Sequence, residues 1–243
     1  MKKMCAQTPD FVLFLGKNQP AMFDNRDLVE VILEHSDAVL IVQQVQNKLN
    51  NEQRLREEFY EIIGEDDKAE FVNGEIIYHS PVMKRHNDAT KQLLKLLDIF
   101  TAMLKLGYVG VEKILTKFTR NDYEPDLCFF RPEKAKDFKP GQLIFPVPDF
   151  VVEVLSKSSL KVIEHDTVTK FADYQKHGVA EYWIVDPEEE TVEQYVLENG
   201  KYHLLLKSGE GTIRSRVVEG FAIPIRAIFD EAENLAALRE MLK

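Results

Sequence analysis

The chain has 243 residues, 44% hydrophobic and 30% charged, and its 31 Lys and Arg against 41 Asp and Glu leave a net charge of −10. That length and composition suit a globular protein with one substantial domain and an extension, and no apolar run reaches the roughly 18–20 residues of a membrane helix. The acidic balance counts against a protein that merely coats nucleic acid, which normally displays clustered Lys and Arg.

Residues 1–22 mix short apolar pieces with Gly16 and Pro20 and show no sustained period, so they read as an arm. The apolar stretch Phe11–Leu15 is too short for the core of an export signal. Cys5 falls in this arm and Cys128 in an apolar strand, so neither a disulfide framework nor a thiolate metal site is expected, and a reducing cytoplasm is the expected compartment. Asp24 or Asn25 can cap a helix through Leu28, Val31, Ile32 and His35. A longer helical pattern follows with Val42, Val45, Leu49, Phe59 and Ile62/Ile63. Its polar middle, Asn47 to Glu58, reads as a solvated face, with a homo-oligomer formed through these N-terminal helices as the minority reading.

The main domain is expected over 66–230, after an N-terminal arm and helical extension at 1–65 and before a C-terminal helix at 231–243. Phe71–Tyr78 reads as a hairpin turning at Asn73-Gly74. His86–Leu106 reads as a long helix that buries Leu93, Leu96, Leu97, Phe100, Met103 and Leu104 and is stopped by Gly107. Strands are expected at Tyr108–Phe118, Leu127–Phe130, Phe150–Leu155, Tyr182–Val185, Val192–Leu197 and Tyr202–Leu206. Arg131–Pro148 reads as a long loop and Leu160–His177 as a helix ending at Gly178. Strand, helix and strand in that order imply a parallel crossover, whereas Glu198-Asn199-Gly200 implies an antiparallel hairpin, so the sheet is mixed.

Phe150-Val151-Val152-Glu153-Val154-Leu155 is apolar on both alternating faces except at Glu153. Burying an isolated carboxylate costs several kcal/mol unless it is paired, protonated or bound to a cation. The alternatives are a metal ligand and an ion pair with a Lys or Arg of the facing helix. Asp126 follows Pro125 at the mouth of Leu127–Phe130; alone, such a Pro-Asp pair is an ordinary strand entry. The two acids lie 153 − 126 = 27 residues apart, with the long loop letting their strands run side by side. Asp166, Lys170 and Tyr174 recur every four residues and share a helix face, either as a surface ion pair or facing the site; Phe171 falls on another face. Carboxylates so grouped suit Mg2+ or Mn2+, with Lys170 placed to stabilise charge on a phosphodiester. The six His residues show no zinc-like pairing, and there is no Gly-rich phosphate loop, nucleophile elbow or dinucleotide fingerprint.

The run Pro148–Ser156, then Asp166, Lys170 and Tyr174, then Gly178–Pro187, resembles the signature of the Uma-two family of restriction-endonuclease-like proteins. Asn73-Gly74-Glu75-Ile76, Ser80-Pro81, His86 and Glu124-Pro125-Asp126-Leu127 resemble its upstream pattern, so the likeness covers about residues 66–230. It implies an α/β fold, a restriction-endonuclease-like mixed β-sheet flanked by helices of the PD-(D/E)XK type, here with an N-terminal helical extension. It implies Asp126 and Glu153 as ligands of Mg2+ or Mn2+, Lys170 as the catalytic lysine, Glu75 as an additional ligand or general base, and DNA as substrate. One departure stands out: the superfamily lysine belongs two residues after the second acid, where this chain has Leu155, so Lys170 of the following helix takes the role, with Lys157 as a nearer substitute. A nuclease-derived binding or regulatory module that does not cut is the alternative function.

Overall fold

The computed structural model describes residues 25–156 and 168–243. The chain divides into two units, one running to Asn51 and the other spanning Glu52–Lys243. Two helices, α1 (Asn25–Glu34) and α2 (Ala38–Ile62), form the expected helical extension. Within the first unit Leu28, Val31, Leu33, Val42, Val45 and Leu49 are exposed.

The polar middle of α2, expected as a solvated face, is not wholly solvated. Arg56 is buried, with Nε 2.7 Å from Asp122 Oδ2 and Nη2 donating to the Phe118 carbonyl at 2.7 Å. Tyr60 adds a hydrogen bond to the same Asp122 oxygen at 2.9 Å. A buried carboxylate thus meets a bidentate guanidinium, the pairing that best offsets desolvation of both charges.

β1 (Ala69–Val72) and β2 (Glu75–Tyr78) form the expected hairpin, with Asn73 and Gly74 both at positive φ, 53° and 88°. That pair of angles is what a tight two-residue hairpin turn requires. α3 (Lys84–Leu104) buries Leu93, Leu96 and Leu97, whereas Met103 and Leu104, expected on the same side, are exposed in its last turn. It ends at Lys105, which is itself left-handed at φ 55°. Gly107 follows where a Cβ would lie 2.2 Å from the Phe130 carbonyl oxygen, so the close approach to the next strand requires glycine.

The single strand expected over Tyr108–Phe118 is two. β3 (Tyr108–Val111) and β4 (Leu115–Lys117) join different sheets, and Glu112 at φ 46° makes the break between them. β5 (Asp122–Tyr123) and β6 (Leu127–Phe130) follow. The segment read as a loop after them carries a short helix, α4 (Pro132–Ala135), and β7 (Ile144–Phe145), which pairs in parallel with β4. β8 (Phe150–Val154), α5 (Lys170–Lys176) and β9 (Glu181–Asp186) give the parallel pair, and β10 (Thr191–Glu198) with β11 (Lys201–Ser208) gives the antiparallel hairpin. β12 (Thr212–Arg214), β13 (Ala222–Pro224) and α6 (Glu231–Met241) complete the chain, and Asp230 caps α6 by accepting the Glu233 N–H.

The larger sheet has six strands in the order β11-β10-β9-β8-β6-β3, with β8–β9 parallel and β6–β8 antiparallel; a five-stranded sheet runs β2-β1-β5-β4-β7. β8 and β9 sit in the interior of the larger sheet, with core residues on both faces. Val152, Val154 and Trp183 pack with Leu93, Leu96 and Leu97 of α3, whereas Val151, Tyr182 and Ile184 pack with Tyr174 of α5. This is the mixed α/β architecture with flanking helices that the sequence implies. Among the described residues no helix is long and apolar enough to cross a membrane.

Candidate active site

Strand pairing brings the two predicted acids together. Leu127 pairs with Val152, so Asp126 and Glu153 follow that register by one position and lie on neighbouring strands. The Val154 N–H donates to Asp126 Oδ2 at 2.7 Å, which fixes the aspartate against β8. Asp126 and Glu153 are 6% and 3% exposed, so each carboxylate needs compensation.

Compensation comes from three bases and a phenol. His86 Nε2 of α3 lies 3.3 Å from Asp126 Oδ2, and Lys68 Nζ lies 3.8 Å from Oδ1. Burial pushes Asp126 upward, but the His86 hydrogen bond, the nearby positive charges and the Val154 N–H outweigh it and hold its carboxyl below the usual range. Lys170 Nζ stands 3.1 Å from Glu153 Oε1, and Tyr174 OH donates to that oxygen at 2.7 Å. Burial and the charges of Glu153 and Glu70 raise the Tyr174 phenol well above its ordinary value, so it acts here as a neutral donor. His79 lies instead by Glu70, its Nε2 3.5 Å from Oε2.

α5 places these groups as its spacing predicts: Lys170 and Tyr174, one turn apart, both reach Glu153, while Phe171 packs edge-on against Tyr195 with ring centroids 5.0 Å apart. The ion pair offered as an alternative account of Glu153 is therefore present, and it is made by the same lysine that the resemblance assigns to chemistry. Asp166 and Lys157 lie outside the described residues.

Glu75 is not brought to this cluster. It stands exposed on β2 beside the turn, opposite Val72. The glutamate of this hairpin that does reach the site is Glu70, fully buried on β1 with Oε1 2.9 Å from Lys170 Nζ. Its signal was the one that exposes Glu153, an acid inside a short apolar strand. Glu124 is the second residue that the sequence pattern passes over. Its N–H donates to Glu70 Oε1 at 3.0 Å, and its own Oε2 is buried without a hydrogen-bond partner. Burial, reinforced by Glu70, pushes the Glu124 carboxyl up to about 7.

The donor set can be tested against the divalent ion that the resemblance implies. Among the described residues no three His, Cys, Asp or Glu side chains are grouped to hold a metal on their own. Two hard carboxylates with water completing the shell match Mg2+, which keeps several waters and binds through one or two acids. Asp126 and Glu153 therefore fit a hydrated Mg2+ or Mn2+ and do not fit a closed protein cage.

Comparison with known proteins bears on the family and the fold. The profile of the Uma2 family, described as "Putative restriction endonuclease", matches residues 56–226, more than half of the chain. Among solved structures the chain is similar to "a putative nuclease belonging to DUF820" from Anabaena variabilis ATCC 29413, at 17% identity and a TM-score of 0.60 over 71% of this chain and 96% of that one, which shows a shared fold. The type IIG restriction endonuclease BpuSI is matched at 11% identity and a TM-score of 0.33, over 67% of this chain and 18% of that one. No curated protein matches the sequence.

Proposed function

The chain belongs to the Uma2 family, whose description supports a nuclease-like function, and from that premise we propose that it is a divalent-metal-dependent endonuclease hydrolysing phosphodiester bonds in DNA. One observation carries the reading: two buried acids from neighbouring strands, Asp126 and Glu153, with the Lys170 ammonium 3.1 Å from the second.

Asp126 and Glu153 would hold the ion. Bound there, Mg2+ or Mn2+ supplies Lewis acidity, neutralising charge on phosphate oxygens and lowering the pKa of water. The protein's own groups do the rest. The His86 imidazole and the Val154 N–H hold the Asp126 carboxylate in one orientation, as partners behind a metal ligand do. Tyr174 does the same for Glu153. Lys170 sets a fixed positive charge beside Glu153, where negative charge grows on a phosphodiester under attack, and a pre-placed cation stabilises that charge without reorganising.

The test is cleavage of supercoiled plasmid with Mg2+ or Mn2+ against a chelated control. Cleavage is expected with metal, falling by about 10²–10³ in Asp126→Asn and Glu153→Gln. Undiminished cleavage in both variants would overturn the assignment. A second reading, a nuclease-derived module that binds or regulates without cutting, draws support from the net charge of −10; no cleavage of any DNA or RNA together with no Mn2+ binding would favour it.

A further inference from the structure

Lys170 reaches the site from α5 on a four-carbon stem, and its side chain is 2% exposed. A flexible ammonium is useful to a transition state only where its position is fixed before reaction. Two carboxylates grip it from different strands: Glu153 of β8 at 3.1 Å and Glu70 of β1 at 2.9 Å. These two acids are not equivalent. In the proposed reaction Glu153 shares its charge with the metal ion, so its hold on Lys170 weakens when the site is loaded. Glu70 is fully buried, and its Oε1 also receives the Glu124 N–H at 3.0 Å, while His79 Nε2 lies 3.5 Å from Oε2. The Tyr123 ring faces the ammonium as well, 5.8 Å from Nζ to its centroid.

We propose that Glu70 is a positioning residue, the anchor that keeps the Lys170 ammonium at the catalytic edge whether or not Glu153 is engaged by metal. This rests on the nuclease reading above. It also accounts for a chain that lacks a lysine two residues after its second acid. A lysine carried on the next helix needs a tether from outside that helix, and the β1–β2 hairpin supplies it through Glu70.

Glu70→Gln keeps the shape and removes the charge. With plasmid DNA and Mn2+ as probes, kcat should fall about 10–100-fold, while KM for DNA and the calorimetric Kd for Mn2+ each move less than threefold. Glu70→Asp should recover part of the loss. In a Lys170→Met background Glu70→Gln should cost little further, because its effect passes through the lysine. A folded Glu70→Gln variant that cleaves at the wild-type rate would overturn the proposal. So would a loss of Mn2+ affinity of tenfold or more, which would make Glu70 a ligand. A separate measurement needs no activity: the urea midpoints of Glu70→Gln, Lys170→Met and the double variant should be strongly non-additive, and additive shifts would also overturn it. Absence of cleavage by the wild-type protein would count against the nuclease reading, and this stability cycle would still decide whether Glu70 and Lys170 are coupled.

Discussion

Two buried glutamates on adjacent parallel strands show how one sequence signal leads to opposite ends. Glu153 of β8 pairs in register with Ile184, and three residues before that on β9 lies Glu181, which is fully buried. Glu181 is saturated by neutral donors. Its Oε1 accepts from Trp183 Nε1 and Gln194 Nε2, each at 2.7 Å, and its Oε2 accepts from Ser215 Oγ at 2.6 Å and the N–H groups of Arg216 and Val217 at 2.8 and 3.0 Å. That is a latch joining the 215–217 turn to the sheet. Around Glu153 the balance is struck with charges: Lys170 against Glu153 and Glu70, His86 and Lys68 against Asp126, and a Glu124 oxygen left unpartnered. A carboxylate filled by fixed neutral donors has nothing left to offer a ligand. One balanced by neighbouring cations keeps a charge that it can share with a metal ion.

The same substitution at the two positions separates these roles. Glu153→Gln should lower metal-dependent cleavage by about 10³-fold, and it should cost less stability than the equivalent change at Glu181, since it neutralises one of four clustered acids. Cleavage rates and urea midpoints on one preparation check both. Glu181→Gln should cost about 3 kcal/mol or more, because its amide N–H₂ must face buried donors whichever way it turns. The remaining folded protein should cleave normally per molecule. A Glu181→Gln variant as stable as wild type would erase the distinction.

Glu124 sharpens the contrast through pH. Its folded carboxyl is raised to about 7 by burial and by Glu70, above its ordinary value of 4.5, so the folded state binds the proton more tightly than the unfolded chain does. The contribution to stability is complete below about pH 4.5 and is lost as pH rises through about 7. In metal-free buffer Glu124→Gln should therefore gain on wild type as pH rises from 5 to 8, and a pH-independent difference would contradict the placement. The smallest effect is expected at Arg120, half exposed and bonded twice to Glu52 at 2.7 Å. Arg120→Ala should cost about 0.5 kcal/mol or less, as exposed pairs do.

Much of this was legible in the residues because the signals were local. The glycine turns at 74 and 200, the apolar stripe of α3 and the doubly covered strand β8 each announce themselves within a few positions. The break at Glu112 carries neither Gly nor Pro, so Tyr108–Phe118 reads as one strand, and its division depends on the two sheets that its halves join. At the candidate site, the grouping of Asp126, Glu153 and Lys170 is readable from acids at a core strand and from the family likeness. Glu70 was not, although Ala69-Glu70-Phe71-Val72 presents the same anomaly as Glu153. When the hairpin is taken to begin at Phe71, Glu70 falls outside it and the exposed Glu75 stands in its place. His86 and Lys68 owe their roles to long-range packing, which no spacing in the sequence encodes.

The central claim is that Asp126 and Glu153 share one divalent ion beside a lysine tethered by Glu70. Its most direct test is a crystal soaked in Mn2+ and measured for anomalous scattering. A single peak contacting both carboxylates, with Lys170 Nζ still against Glu70, is the predicted result. Both acids contacting only their protein partners, with manganese absent or bound elsewhere, would contradict it.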